Sequence, residues 1–426
     1  MNKLAIFVGK SVIAFSKAFN LGSGSTWPGH IVLKFNPEFI EKTLKKSKTT
    51  IILIAGTNGK TTTAKLLKSI LEESNKTVFH NQSGANLLNG LASAIVSEVN
   101  LSGYINKNYA IFEVDENTLP SALDKFLPDY LIVLNLFRDQ LDRYGEIDKI
   151  AKNWKKSFEK LPASTTLILN ADDPLVSFLS ENLSSKMFFF GLNDDKYKIN
   201  SKQNAADSIY CLYCGNKLSY KATFFSHIGD WQCTKCLHKR QKLDLSEIFT
   251  SPLKGTYNAY NVLAASLTAK KIGIKDEVIK KSVLSFKPAF GRQEIISIKG
   301  KEIQIFLSKN PTSFNESLRT IKSLNGKNVL IVLNDRIPDG RDISWIWDTD
   351  IENLFTGDEK IVVSGDRAYD LALRIKYAGF KNFSVEPVLK KAVYKILANS
   401  EKQIFVLPTY SAMLETRKIL TGKKIL

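Results

Sequence analysis

Apolar residues along this chain gather into short β-branched runs, each followed by a stretch with helical spacing. Residues 49–55 (Thr-Thr-Ile-Ile-Leu-Ile-Ala) form the first run, which predicts a buried parallel strand. A turn at Gly56-Thr57-Asn58-Gly59-Lys60-Thr61 ends it, and residues 62–74 place Leu66, Leu67, Ile70 and Leu71 on one helical face. The beat repeats with runs at 109–114, 130–136, 166–169 and 187–190. Strands alternating with helices predict an α/β fold: a parallel, doubly wound sheet with ligands at the carboxyl ends of its strands.

Three other stretches depart from that beat. Upstream, residues 4–13 read as an apolar helix, 22–29 as a Gly- and Ser-rich loop containing Trp27-Pro28, and 37–46 as a second helix. Between 204 and 242 short β-like pieces, aromatics and cysteines replace the alternation, which reads as an inserted module. Helical spacing returns at 256–271 and 275–284, a hinge follows at 288–292, and a second α/β unit has strands at 294–298, 303–307, 329–333, 361–363 and 404–407. The expected organisation is an N-terminal helical segment (1–48), a central domain (49–287) interrupted by the insert (204–242), and a C-terminal α/β domain (288–426).

Composition narrows the class. A chain of 426 residues with 44% hydrophobic content is globular and too long for one core. The net charge of +18 is spread along the chain (Lys45, Lys155, Lys270, Lys390), so it implies attraction to some anion without naming one. No apolar run is long enough to span a membrane, and the first segment lacks a small-residue cleavage site, so a cytoplasmic protein is expected. That segment, broken by Lys10 and Lys17, reads as a helix packed on the next domain, with docking on an anionic membrane surface as the alternative.

The loop at 56–61 carries the clearest chemistry. A strand, a Gly-rich turn and a helix N-terminus aim backbone N–H groups at an anion. Gly56 and Gly59 allow close approach, Lys60 adds a point charge, and the hydroxyl of Thr61 can ligate Mg²⁺, with Thr57, Asn58 and Thr62 beside them. Ile54 stands where the longer phosphate-loop pattern needs glycine, so only the short Gly-x-x-Gly-Lys-Thr form is present. Glu113 ends the next strand, where a second metal ligand for phosphoryl transfer belongs; Asp115 and Glu116 are weaker candidates. Cys211-x₂-Cys214 and Cys233-x₂-Cys236 have the spacing of a four-thiolate Zn²⁺ ribbon with a structural role. Tight cysteine pairs of this kind favour metal over disulfides, and His227 and His238 are read as bystanders.

Taken together, these motifs resemble the Mur ligase and folylpolyglutamate synthase superfamily. Besides the loop and Glu113, the resemblance rests on Asn170-Ala171-Asp172-Asp173-Pro174, on the Gly255–Asn261 segment with Asn258 and Asn261, and on Gly291-Arg292-Gln293-Glu294. It implies a Mur ligase-type ATPase domain followed by a Rossmann-like C-terminal domain. It further implies ATP and Mg²⁺ as cofactors, nucleotide contacts from Asn258, Asn261 and Arg292, and phosphorylation of a carboxylate that an amine then attacks.

The departures point to one branch. Few residues precede the loop, Gln140 replaces a metal-binding histidine, and the Asn310-Pro311 stretch lacks its usual aspartate and histidine. Together with the cysteines and the segment from Asn334-Asp335 to Trp345-Ile346-Trp347-Asp348, they resemble the MurT branch, the ligase subunits of lipid II isoglutaminyl synthases. The resemblance implies amidation of the D-glutamate α-carboxylate in a peptidoglycan precursor. Ammonia would come from a class I, GatD-type glutaminase to which Asp348 is lent, with Asp342 and Asp335 as second choices. Lys60 and Glu113 would serve the ATP half-reaction. A free cysteine nucleophile for glutamine hydrolysis is missing from the sequence, which agrees with a separate glutaminase.

Two other classes compete. A polyglutamylating ligase fits the short N-terminus but leaves the cysteines and the Trp-Ile-Trp-Asp segment unused. A nucleic-acid-dependent NTPase fits the charge, yet acids (Asp230, Asp244) interrupt the basic residues near the knuckles, so nucleic acid is not the expected partner.

Overall fold

The computed structural model describes residues 2–18, 26–81, 85–139, 147–199, 206–288, 291–355, 357–399 and 401–422. Gln140 and Phe290 lie outside the described residues. The chain opens with helices α1 (Asn2–Ala18), α2 (Trp27–Phe35) and α3 (Phe39–Lys46). The loop expected through 29 therefore ends three residues early. Pro28 sits in the first helical turn, where its missing N–H costs nothing and its fixed φ suits a helix.

The central sheet is built from β1 (Thr50–Ala55), β2 (Val78–His80), β3 (Tyr109–Glu113), β4 (Tyr130–Val133), β5 (Thr166–Asn170) and β6 (Lys186–Phe190). The intervening helices are α4 (Lys60–Glu73), α5 (Leu88–Glu98), α6 (Leu119–Lys125), α7 (Ile147–Phe158) and α8 (Pro174–Leu179). Strand order is β2-β3-β1-β4-β5-β6 with every pairing parallel. Because side chains alternate along a strand, Leu53 and Ala55 of β1 enter the core under α1–α3 and α5–α8, while Ile52 and Ile54 enter the opposite one. That second core is closed by α4, α9 (Thr256–Ile272) and α10 (Asp276–Leu284).

The insert contains an antiparallel hairpin, β7 (Leu218–Phe225) and β8 (Ile228–Cys233). Beyond the hinge come β9 (Arg292–Ile298), β10 (Lys301–Phe306), α11 (Pro311–Ser323), β11 (Asn328–Val332), α12 (Ile351–Leu354) and β12 (Lys360–Ser364). α13 (Ala368–Tyr377), β13 (Phe383–Val385), α14 (Leu389–Leu397), β14 (Gln403–Pro408) and α15 (Tyr410–Thr421) complete the chain's described elements. This second sheet runs β13-β12-β11-β14-β10-β9, parallel except for the β9–β10 hairpin.

In the central sheet the chain reverses its direction of winding around β1, which has β3 on one side and β4 on the other. A crevice opens at the carboxyl ends of strands at such a switch point. The candidate phosphate loop leaves β1 there.

Candidate active site

Gly56 (φ 139°) and Gly59 (φ 93°) both adopt backbone conformations that disfavour a side chain. A Cβ on Gly56 would press on Leu134 and on the backbone of Asn135, and one on Gly59 would run into Asn261. The loop is clamped from the next strand end: Asn58 N–H donates to Asn135 Oδ1 (2.9 Å), and Asn135 Nδ2 donates to the Asn58 carbonyl (3.1 Å). Lys60 opens α4 but folds back over the loop, donating to the Gly56 carbonyl and pairing with Glu116 at 3.2 Å.

Thr61 Oγ1 donates to Glu113 Oε2 at 2.6 Å, which joins the loop to the end of β3. The other oxygen of Glu113 meets His80 Nε2 at 2.8 Å, and Asn81 receives the Glu113 N–H at 2.8 Å. Burial alone would raise the Glu113 carboxyl. The hydrogen bonds from His80 and Thr61, with the charge of Arg292, hold it below the ordinary range, in the anionic form that a metal ligand needs. Sequence reasoning missed His80; its signal is the parallel register of β2 on β3, which no local pattern shows.

Glu116, ranked below Glu113 from the sequence, is as deeply placed. Its burial is outweighed by Lys60 and Lys309, which lower it. Lys309 comes from the C-terminal domain and pairs with Asp139; burial and the nearby Glu116 raise the Asp139 carboxyl despite that pairing. Glu116 Oε1 and Asp139 Oδ1 are buried without hydrogen-bond partners among the described residues. Buried acid oxygens left open beside a phosphate loop suit a hydrated divalent cation. Asp115 is also buried; its N–H donates to the Asn86 carbonyl (3.0 Å) and its Oδ1 accepts from Asn117 N–H (3.1 Å).

Next to the loop a cleft lies between the two sheets. Asn58, Gly59 and Thr62 line it on one side, and Asn258, Asn261 and Arg292 on the other. Asn261 donates to Asn258 at 3.0 Å and accepts from Thr63 at 3.3 Å, which ties α9 to α4. Phe137, Phe225, Tyr260 and Phe306 supply apolar walls for a flat base. Gln293, given no role from the sequence beyond its place in the motif, fixes the Arg292 strand by donating to Tyr257 and to the Lys254 carbonyl, both at 2.6 Å.

In the insert the four cysteine sulfurs lie within 4.8 Å of one another, with Cys211–Cys236 and Cys214–Cys233 each at 3.5 Å. Sulfurs about 2.3 Å from a tetrahedral ion sit a little under 4 Å apart, so the donor set fits Zn²⁺. The N–H groups of Lys235 and Cys236 point at Cys233 Sγ (3.4 and 3.5 Å), the turn that such a knuckle requires. His238, read from the sequence as a bystander, meets Cys236 Sγ at 3.1 Å and stacks on Tyr213, contacts that would orient the site. His227 is buried beside Asp173 and Phe137. The insert is held to the central sheet through Asp172, which accepts from Tyr260 (2.6 Å), Arg240 (3.1 Å) and Leu192 N–H (2.7 Å).

Asp348 is away from the loop, at the end of a short 3₁₀ turn, Ser344–Asp348. Its carboxylate pairs at 3.1 Å with Arg138, which also binds Asp207. The turn is braced from α13: Arg374, itself buried, donates to the Ile346 carbonyl (3.0 Å) and the Thr349 carbonyl (2.7 Å). Asp342 and Asp348 share a small pocket with Lys309, whereas Asp335 pairs with Arg367 at 3.6 Å.

Comparison with known proteins gives this arrangement its context. Residues 54–269 match the family model described as the Mur ligase middle domain, and residues 307–413 match the one described as MurT ligase C-terminal. The subunit MurT of lipid II isoglutaminyl synthase (glutamine-hydrolyzing) from Staphylococcus aureus (strain COL) is 33% identical, covering 88% of this chain and 87% of that protein. Its counterpart from Streptococcus pneumoniae (strain ATCC BAA-255 / R6) is 32% identical over 95% of this chain and 94% of the relative. Among solved structures, a pseudomurein peptide ligase type C from Methanothermus fervidus superposes with a TM-score of 0.69, at 22% identity over 88% of this chain and 79% of the other, a likeness of fold. Phosphate loop, carboxylate shell, four-cysteine insert and C-terminal domain therefore agree in one assignment: the chain belongs to the Mur ligase family of ATP-dependent carbon–nitrogen ligases, in its MurT branch.

Proposed function

We propose that this chain amidates the α-carboxylate of D-glutamate in the stem peptide of a lipid-linked peptidoglycan precursor. In the first step a carboxylate oxygen attacks the γ-phosphorus of ATP and ADP leaves, giving an acyl phosphate. In the second, ammonia adds to the acyl carbon, loses a proton, and expels inorganic phosphate to leave the carboxamide. The observation that carries the reading is the cleft between the sheets, lined by Asn58 and Gly59 of the loop and by Arg292, with Glu113 joined to the loop through Thr61 and held low in part by the Arg292 charge. Both steps build charge on phosphoryl oxygens, and oriented amides and cations are what such charge needs.

Lys60, which now donates to the Gly56 carbonyl and to Glu116, would exchange them for a phosphate oxygen. Thr61 and Glu113 would hold Mg²⁺, which when bound neutralises charge between the β- and γ-phosphates. Arg292 would meet the terminal phosphate across the cleft, and the four cysteines would hold Zn²⁺ as a structural staple for the insert.

Ammonia would be delivered by a glutaminase partner seated against the C-terminal domain. Its support is the surface around Asp348: Trp347 and, on α13, Tyr369, Leu373 and Tyr377 are large, exposed and adjacent. Aromatic side chains of this kind mark interface cores. Asp348 stands at the edge of that surface on a braced turn, where a partner's catalytic histidine could be oriented by it. A cytoplasmic enzyme working at the inner membrane face fits such a substrate, and among the described residues no helix is long and apolar enough to cross a membrane.

The test combines purified chain, lipid II, Mg-ATP and ammonium chloride without any glutaminase, and follows substrate mass and phosphate release. The expected result is conversion of carboxyl to carboxamide that disappears in Lys60→Ala. ATP hydrolysis with no amidation would sink the choice of acceptor while leaving the ligase chemistry standing.

A further inference from the structure

The N-terminal helices are held by one face and bare on the other. Gly9 of α1 packs where a Cβ would meet Val32 and Val96, and Gly29 of α2 where a Cβ would strike the α5 backbone at Ser93. The Gly29 N–H donates to Ser93 Oγ at 2.7 Å, and Ile6 and Val32 are fully buried. These helices are therefore a fixed platform on the central domain. Their outward face, however, shows Leu4 (69% exposed), Phe7 (62%), Trp27 (70%) and Phe35 (68%).

The spacing is helical and deliberate in both elements. Leu4, Phe7, Ser11 and Ala14 run along one exposed stripe of α1, and Trp27, Lys34 and Phe35 share the exposed side of α2. Isolated apolar residues on a surface need no explanation, but four large ones on two adjoining helices do. Charge selects the occupant. The first 36 residues contain four lysines and no acid, so this apolar face lies within a wholly basic segment. Aromatic and aliphatic side chains set among lysines are the composition of a helix that lies in the headgroup layer of an anionic bilayer. A protein partner's interface core would instead be depleted of lysine.

Position adds a reason. Leu33 of α2 lines an open cleft of about 510 Å³ whose far wall is Asp115, Asn117 and Thr118, just beyond the Glu113 end of β3. A substrate emerging from a membrane beneath α1 and α2 would meet the carboxylate shell through this cleft.

We infer that the exposed face of α1 and α2, centred on Leu4, Phe7, Trp27 and Phe35, is a docking surface for an anionic lipid bilayer. It sets the cleft between Leu33 and Asp115 against the membrane surface. The inference rests on the proposed lipid-linked substrate for its purpose, though not for its geometry.

Flotation of the whole chain with phosphatidylcholine vesicles, with and without phosphatidylglycerol, tests it directly. The chain should float with anionic vesicles at low salt, at least tenfold less with neutral ones, and progressively less as salt rises. The triple variant Leu4→Ser/Phe7→Ser/Trp27→Ser should lose at least tenfold of that binding while keeping its melting temperature. Tyr394→Ser, an exposed residue of the C-terminal domain, should bind as the parent does. Lys60→Ala should float normally, which separates docking from chemistry. With lipid II, the triple variant should amidate detergent-dispersed substrate at the parental rate but vesicle-embedded substrate more slowly. No flotation at low salt, or flotation that the triple variant retains, overturns the proposal. So does a triple variant that instead loses self-association or glutaminase binding, since the face would then be a protein interface.

Discussion

The two six-stranded sheets both end their central strands in polar residues, yet among the described residues the two sets find their hydrogen-bond partners differently. In the central sheet the polar ends of β1 and β4 line a cleft, and the buried oxygens Glu116 Oε1, past β3, and Asp139 Oδ1, past β4, are without partners among the described residues. In the C-terminal sheet the polar ends of β11, β12 and β14 close on one another. Asn334 donates to Ser411 Oγ (2.9 Å) and accepts from Asp366 N–H (3.0 Å), its own N–H reaches Thr409 Oγ1 (3.0 Å), and Ser411 N–H donates to Asp339 (2.7 Å). Polar residues at strand ends thus do not by themselves make a ligand site. What matters is whether their hydrogen-bonding capacity is satisfied internally or left facing a cavity.

The largest expected effect lies in the central crevice. Lys60→Ala should lower ATP-dependent phosphate release by roughly 10²–10³, the loss typical of removing one electrostatic stabiliser of a transition state. It also strands Glu116 as a buried acid, so circular dichroism melting must accompany the assay. The matching change across the molecule, Asn334→Ala, should leave ammonium-dependent amidation within about twofold and lower stability by about 2 kcal/mol, by urea titration, through the partners it leaves unsatisfied. If Asn334→Ala abolished turnover while the protein stayed folded, the contrast between the crevices would be wrong.

A second prediction separates buried acids within the central sheet. Asp172 lies just past β5, but it faces the insert, and burial lifts its carboxyl to about 6 despite Tyr260 and Arg240. A folded-state value raised by about two units means that this group favours the fold most below pH 4. Its contribution is lost as pH rises through about 6, at a cost of about 3 kcal/mol in the ionised form. Unfolding titrations of the parent and Asp172→Asn should therefore diverge between pH 4 and 6 and run parallel above that. Glu113, held low, has the opposite sense: its contribution is present above the ordinary carboxyl range and lost in acid. A parent whose stability relative to Asp172→Asn rose through that window would refute the assignment.

How much of this was legible beforehand follows from how far apart the partners lie in sequence. The phosphate loop and the cysteine pairs are local, so residue type and spacing revealed them, and the β–α alternation gave the sheets because buried parallel strands are continuously apolar. His80, Lys309 and Arg374 were illegible. His80 meets Glu113 only through strand register, Lys309 meets Asp139 across 170 positions, and Arg374 braces a turn that contains no complementary motif. The outward face of α1 was half legible: its apolar residues suggested packing or a membrane, and the structure shows Ile6 packed while Leu4 and Phe7 face outward.

A smaller effect probes the C-terminal crevice through its backbone. Gly365 has φ 101°, and a Cβ there would approach the Leu333 carbonyl to 2.5 Å. Gly365→Ala should cost about 1–3 kcal/mol in urea titrations, from left-handed strain and the clash together, without altering nucleotide affinity measured by calorimetry. Weakened nucleotide binding would mean that the two crevices communicate.

The smallest expected effect is at the rim of that same crevice. Arg336 bridges Asp366 (2.8 Å) and Glu415, and these acids raise an already basic guanidinium further. The group looks like a lock on the closed strand ends, but all three side chains are substantially exposed, at 43%, 38% and 43%. Water and salt screen charges in that setting, and a shift in proton affinity there converts poorly into folding energy. Arg336→Ala should therefore cost no more than about 1 kcal/mol, and the difference should shrink as salt is added. A larger, salt-independent loss would show that the ion pairs, rather than the buried Asn334 network, keep the crevice shut. The distinction between the two sheets would then rest on charge at the rim instead of hydrogen bonds satisfied within.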